Sequence, residues 1–195
     1  TDVIFVCLPT PLKNKKPDLS YLKNCYNKLS KINLINKLII FESTVYPGVT
    51  RNLINKILIK QKLKIGVNFY AGYSPERENP GDNNFSYKIT PKVVSGYTDQ
   101  CLDIVKLCYS NIVKKITKAS SLEVAESSKL LENIYRAVNI GMINEMKIIS
   151  DRLSLDINQI IKCASTKNFG FQTFYPGPGW GGHCIPIDPF YLTWL

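Results

Sequence analysis

Two stretches, DVIFVCLPTP (residues 2–11) and KLIIFESTV (residues 37–45), decide the fold. Each is a run of Val, Ile, Leu and Phe without polar alternation, and each ends in turn residues, Pro9 and Pro11 after the first and Tyr46-Pro47-Gly48 after the second. A strand that is apolar on both faces belongs inside a parallel sheet covered on both sides. Between the two, Leu19, Leu22, Tyr26 and Leu29 have helical spacing, with Asp18 placed to cap the helix. Beyond the second, Leu53, Ile54, Ile57 and Leu58 mark an amphipathic helix over residues 50–62. Residues 69–74 and 92–96 read as strands, 99–109 as a helix and 112–117 as one more strand. Strands and helices in alternation are the grammar of an open α/β sheet.

From Ser120 to about Leu153 the pattern becomes a single long helix, with Ser120 and Glu123 spaced as a capping box. Its centre, Ala137 to Ile143, is apolar almost all round, which predicts burial between elements. Residues 156–164 read as a shorter helix, and 168–189 as a Gly-, Pro- and aromatic-rich loop. A boundary near Lys118 divides the chain into regions 1–118 and 119–195. With 195 residues, 45% of them hydrophobic and 11% aromatic, the chain can pack a core. No apolar run reaches the roughly 20 residues of a membrane-spanning helix. The net charge of +10 comes mostly from scattered Lys, without an Arg-rich stripe interleaved with aromatics, so it reads as a compositional bias rather than a nucleic-acid surface, and a phosphorylated small molecule fits the charge equally well. Six cysteines without a CxxC pair argue against structural zinc and for free thiols in a reducing cytoplasm. Cys25, Cys101, Cys108 and Cys163 read as small packing residues of helices.

The loop FYPGPGWGGHCIPIDP (residues 174–189) holds the densest chemistry. Gly179, Gly181 and Gly182 let the backbone turn and approach a ligand, and Cys184 follows at once, with Asp188 four residues on. Such a loop is either a thiol site or a structural turn with an incidental Cys. Lys129 and Asn133 share a face of the long helix, either to hold an anion or a developing oxyanion, or simply as a solvated pair. Ser43, Thr44 and Glu76 follow strands, where open parallel sheets bind ligands. Glu76 could activate water or merely pair with Arg77 or a Lys.

Six ordered blocks resemble the nucleotide-sugar 6-dehydrogenase family: VCLPTP (6–11), ESTVYPGVT (42–50), SPERENPGD (74–82), TPKVVSG (90–96), AESSKLLENIYRAVNIGMINE (125–145) and FYPGPGWGGHCIPIDPFYL (174–192). The last block is most similar to the branch acting on UDP-N-acetylglucosamine, with UDP-N-acetylmannosamine and UDP-glucose as alternatives. The resemblance implies the later part of a Rossmann-like parallel sheet with NAD as cofactor, then a central helical region that dimerises and carries the catalytic thiol. It implies a four-electron oxidation of a sugar C6 alcohol through a thiohemiacetal and a thioester, chemistry that suits a thiolate because it attacks strongly and leaves well.

Carried over by residue, Cys184 matches the nucleophile, Lys129 and Asn133 the pair that assists proton removal and holds the oxyanion, and Asp188 the residue that holds the catalytic water. Glu76 matches the glutamate of thioester hydrolysis and Thr44 the threonine near water and nicotinamide, while Thr10, Ser43, Thr44 and Glu76 lie in blocks that line the cofactor. Phe174, Tyr175, Gly179, Gly181 and Gly182 would pass close to the substrate. No metal is implied. The family's GxGxxG turn and its UDP-closing domain have no counterpart in this sequence, which predicts an interior piece unable to turn over alone. A non-catalytic binding or assembly module of the same fold is the alternative from another class.

Overall fold

The computed structural model describes residues 1–77, 89–182 and 185–194. Backbone contacts gather them into two compact units, Thr1–Leu130 with Phe190–Leu195, and Leu131–Pro189.

The first unit is built on a five-stranded sheet in the order β1-β4-β5-β6-β7, formed by Val3–Val6, Lys37–Phe41, Phe69–Tyr73, Lys92–Gly96 and Ile116–Lys118. The first three strands are parallel, and β7 is parallel to β6. The β5–β6 pair runs antiparallel, Gly72 opposite Gly96 and Tyr73 opposite Ser95, so the sheet is mixed where the sequence reading made it parallel. No helical pattern separates β5 from β6 in the sequence, and a parallel neighbour needs a crossover of a dozen or more residues, usually a helix. Gly96 is required by packing, because a Cβ there would lie 2.1 Å from the backbone nitrogen of Leu102.

Residues of β4 alternate between two cores. Ile39 and Phe41 pack with Leu22, Leu29, Leu53, Ile54 and Ile57 of helices α1 (Ser20–Leu29) and α2 (Val49–Gln61). Leu38 and Ile40 pack with Val105 and Tyr109 of α3 (Asp99–Ser110). Helices on both faces explain why the run in β4 does not alternate with polar residues, whereas β1, at the end of the strand order, is less covered than its sequence predicts and leaves Phe5 exposed. Asp18 accepts the Ser20 N–H at 2.9 Å at the start of α1. A two-residue hairpin, β2 (Leu12–Lys13) with β3 (Lys16–Pro17), was not foreseen; its turn residues Asn14 and Lys15 both have positive φ, without the Gly that usually announces such a turn.

Helix α4 (Leu122–Arg152) is continuous over 31 residues and contributes to both units. Its cap is Ser121, whose hydroxyl accepts the Val124 N–H at 3.2 Å, and not the Ser120–Glu123 box, because Glu123 is committed to Arg51 at 2.5 Å. The segment Ala137 to Ile143 is not buried all round either. Ala137 and Ile143 are buried, but Val138 and Met142 are exposed, because only one side of the helix is covered by this chain. In the second unit Ile143 packs with Ile157 and Ile161 of α5 (Ile157–Ala164), which Asp156 caps. The last helix, α6, is Asp188–Thr193. Cys101 is buried and Cys25 and Cys108 half-buried, but Cys163 is exposed, on the solvent side of α5. Among the described residues no helix is long and apolar enough to cross a membrane.

Candidate functional site

Strands β1, β4 and β5 are parallel, so their carboxyl ends share one edge of the sheet, and the segments 7–10, 42–44 and 74–76 leave from it. Hydrogen bonds tie the first two segments together. The buried Ser43 hydroxyl accepts the Leu8 N–H at 2.9 Å and donates to the Val6 carbonyl at 3.3 Å. The Thr10 hydroxyl donates to the Thr44 carbonyl at 2.7 Å, and the Tyr191 hydroxyl donates to the Thr10 carbonyl at 2.5 Å. Ser43 and Thr10 thereby hold the shape of the two loops, while Thr44, half-buried beside them, has no side-chain partner among the described residues. In open α/β sheets ligands bind beyond the carboxyl ends of the strands, the edge at which these two loops lie.

A charged cluster lies at the same edge. Glu42, just past β4, accepts the Tyr109 hydroxyl in a short hydrogen bond and the Cys7 thiol at 3.6 Å, and pairs with Lys92 at 3.1 Å. Lys92 also reaches Glu76 at 3.3 Å, and Glu76 accepts the Arg77 N–H at 2.8 Å. The Glu76 side chain is 53% exposed, against 11% for Lys92. Burial, and then the neighbouring Glu42, push the Cys7 thiol up to about 11, so it stays protonated and donates.

The loop before α2 is held from α4. Fully buried Glu126 accepts the Gly48 N–H at 2.6 Å and the Thr50 N–H at 2.9 Å, supplying the cap that Gly48 has no side chain to provide. Burial pushes the Glu126 carboxyl up, and the hydrogen bonds from Thr50 and Gly48 pull it down. Glu123 sits one turn earlier, where the Arg51 guanidinium holds its carboxyl down at about 2.

In the second unit the Asn133 amide donates a short hydrogen bond to the Asp188 carboxylate, and both residues are buried, at 9% and 3% exposure. Asn133 is therefore not on a solvated face. Lys129, a turn before it on α4, is half-buried and has no partner among the described residues. Phe174 packs beside Ile143 and Ile161 and against the Tyr135 ring, while Tyr175 points to solvent. Gly181 and Gly182 have φ of +65° and +72°, backbone that a residue with a Cβ rarely adopts, whereas Gly179 is in open space without that need. Cys184 and His183 lie outside the described residues.

The structure thus joins Thr10, Ser43 and Thr44 in one ledge and Asn133 with Asp188 in another place, and links Glu76 to Glu42 through Lys92. Sequence reasoning passed over Glu42, Lys92, Tyr109 and Glu126. The first could have been noticed as an acid ending an apolar strand; the last carries no such signal, because Lys129 three residues on makes it look like an ordinary helical acid.

Two family models match the chain. The UDP-glucose/GDP-mannose dehydrogenase family, NAD binding domain, covers residues 1–113, and the same family's central domain covers residues 123–195. The chain is 44% identical to protein CapL of Staphylococcus aureus and 42% identical to the UDP-N-acetyl-D-glucosamine 6-dehydrogenase of Pseudomonas aeruginosa, each time over 98% of this chain and 46% of the relative. Among solved structures, the UDP-D-ManNAc dehydrogenase of Pyrococcus horikoshii superposes with a TM-score of 0.89 at 30% identity, over 98% of this chain and 46% of that one. This chain therefore spans just under half the length of the relatives it matches.

Proposed function

The chain belongs to the UDP-glucose/GDP-mannose dehydrogenase family, and from that premise we propose that the full-length protein oxidises the C6 alcohol of a UDP-N-acetylhexosamine, UDP-N-acetylglucosamine foremost, to the uronic acid. The 42% identity to a UDP-N-acetyl-D-glucosamine 6-dehydrogenase favours that sugar, and the TM-score of 0.89 to a UDP-D-ManNAc dehydrogenase keeps UDP-N-acetylmannosamine as the second. In this reading residues 1–118 are the later part of the NAD-binding domain and 119–195 the central region that carries the thiol.

NAD⁺ supplies a hydride acceptor for each of the two oxidations. The residues present fit it: the ledge of Thr10, Ser43 and Thr44 is stitched rigid, and the Thr44 hydroxyl is available to a ligand. The Lys129 ammonium, without a counter-ion among the described residues, assists removal of the C6 hydroxyl proton and steadies the oxyanion. Loss of that proton and of a first hydride from C6 gives the aldehyde; the Cys184 thiolate adds to it and the oxygen takes up a proton to give a thiohemiacetal, and loss of the hydroxyl proton and a second hydride leaves a thioester. Water then adds to the thioester, and the thiolate departs with the carboxylic acid formed. Asp188, fixed by Asn133, holds that water, and the half-exposed Glu76 carboxylate assists its deprotonation.

The observation that carries this reading is the match of both family domains, over residues 1–113 and 123–195, and the buried Asn133–Asp188 hydrogen bond is compatible with it. A cytoplasmic setting, where the thiol stays reduced, fits the chemistry. We also read α4 as the dimer contact. Leu131, Tyr135, Val138, Met142 and Ile149 are all exposed, at spacings of three, four and seven residues that keep them on one stripe. Light scattering that finds only monomer at micromolar concentration would remove the dimer.

The test is NADH release by the full-length protein with UDP-GlcNAc, UDP-ManNAc, UDP-GalNAc and UDP-glucose, for wild type and Cys184→Ser. Two NADH per sugar with one preferred substrate, and no uronic acid from the variant, is the expected result. No NADH from any of the four overturns the assignment.

A further inference from the structure

We propose that Lys92 is a positioning residue for Glu76, holding its carboxylate at the carboxyl edge of the sheet through a bridge to the half-buried Glu42. The inference rests on the reading of Glu76 as the carboxylate of thioester hydrolysis.

Register brings the two residues together. Strands β5 and β6 pair Gly72 with Gly96 and Tyr73 with Ser95, and continuing that antiparallel count past the end of β5 sets Glu76 opposite Lys92. The Ser74 hydroxyl, donating to the Val93 carbonyl at 2.7 Å, keeps the two segments in step between these points. Lys92 is the first residue of β6, so its side chain emerges where the parallel strands end.

The cation itself is 11% exposed and surrounded by partners. Its Nζ lies 3.1 Å from Glu42, 3.3 Å from Glu76 and 5.3 Å from the centre of the Tyr109 ring. Glu42 is in turn fixed by the Tyr109 hydroxyl and the Cys7 thiol. An ordinary exposed Lys–Glu pair contributes little, because two long side chains must be ordered to make it. Here one partner is already held by its buried end, so the other gains the attraction without that cost.

The groups facing Glu76 among the described residues are Lys92 from β6, Arg77 through its backbone N–H, and, behind Lys92, Glu42 after β4, Cys7 after β1 and Tyr109 from α3. Cys7 and Tyr109 are neutral donors, both pushed up by burial, and the Arg77 guanidinium donates to the Pro91 carbonyl at 2.8 Å. Lys92, at 3.3 Å, is a cation that favours the ionised form of Glu76, the form a base must have.

The experiment follows single-turnover hydrolysis of the Cys184 thioester in the full-length protein, by mass, across pH. The proteins are wild type, Glu76→Gln, Lys92→Met, Lys92→Arg and the double variant Glu42→Gln/Lys92→Met, which leaves no unpaired buried charge if the single variant fails to fold. Removing the cation should move the acid limb of the hydrolysis rate upward by about 0.5–1 pH unit, a loss of about 3–10-fold on that limb that vanishes at alkaline pH. The Lys92→Arg protein should keep the wild-type limb. An acid limb that persists in Glu76→Gln overturns the assignment of Glu76 itself. A limb that depends on Glu76 but stays in place in both Lys92→Met proteins leaves that assignment standing and overturns the role of Lys92. A uniform loss at every pH would mark Lys92 as merely structural, and likewise overturns it.

Discussion

Replacing Glu126 with Ala should loosen the start of α2 by an amount that can be worked from its contacts. The carboxylate is fully buried and accepts two backbone N–H groups, from Gly48 at 2.6 Å and Thr50 at 2.9 Å. Helix α2 has no side-chain cap of its own, so nothing nearby replaces those acceptors. Each N–H left buried and unpaired costs about 1–3 kcal/mol. The lost interaction between the carboxylate and the helix N-terminus adds about 0.3–1 kcal/mol. Against this, burying a carboxylate is itself unfavourable, as the upward push on its pKa shows, and its removal returns part of the sum. A net loss of about 2–3 kcal/mol corresponds to about 30–150-fold in an opening equilibrium. Hydrogen exchange by mass spectrometry on the full-length protein reads it locally: peptides covering residues 45–54 should lose that much protection, while those covering α5 (Ile157–Ala164) keep theirs. Glu126→Gln, which retains one good acceptor, should fall in between. Protection within threefold of wild type in the Ala variant, or a Gln variant as loose as Ala, would refute the capping argument.

Other substitutions test other contacts. Ser121→Ala should destabilise the protein by about 1 kcal/mol and Ser120→Ala by almost nothing, because Ser121 caps α4; urea or thermal denaturation of the pair decides it. Glu123 should stabilise in one pH window only. Arg51 holds its carboxyl at about 2, from an ordinary value of 4.5, so the unfolded chain takes up the proton first as pH falls. The stability gap between wild type and Glu123→Gln should therefore be complete above pH 4.5 and close as pH drops toward about 2, as read from melting temperatures across that range. Cys7 and Cys163 are both exposed, yet Cys7 should alkylate more slowly near pH 8, since its thiol is pushed up to about 11, and Glu42→Gln should speed it. Equal rates for the two thiols, followed by peptide mass mapping, would count against the Cys7–Glu42 contact.

Local pattern was enough for most of the architecture, because each element satisfies its own rule. The apolar runs at 2–11 and 37–45 both mark strands, and 92–96 coincides with β6, but only the second run is covered on both faces, since Phe5 of β1 is exposed. The spacing of Leu53, Ile54 and Ile57 fixes α2, and Asp156 opens α5 by a side-chain hydrogen bond to its own neighbours. Thr10, Ser43, Thr44, Asn133 and Asp188 sit inside contiguous signatures, so the sequence singles them out, while the hydrogen bonds that join them come from the fold.

Whatever depended on a partner distant in the chain was not legible. Ser120 and Ser121 both precede α4 with an acid nearby, and the choice of cap followed from Arg51, some seventy residues upstream, claiming Glu123. The exposure of Val138 and Met142 depends on which side of α4 is covered, which no periodicity states. Glu126 looks like any helical acid until α2 brings Gly48 and Thr50 to it. Glu42, Lys92 and Glu76 are separated by 50 and 16 residues and meet only because β6 runs back antiparallel to β5. Sequence by itself determined the elements and the family signature, because propensity, capping and periodicity act within a few residues. Tertiary structure decided the charge pairings and the caps, because an ionic or hydrogen-bonding group chooses its partner by distance in space, over a few ångströms that only the folded sheet and helices set.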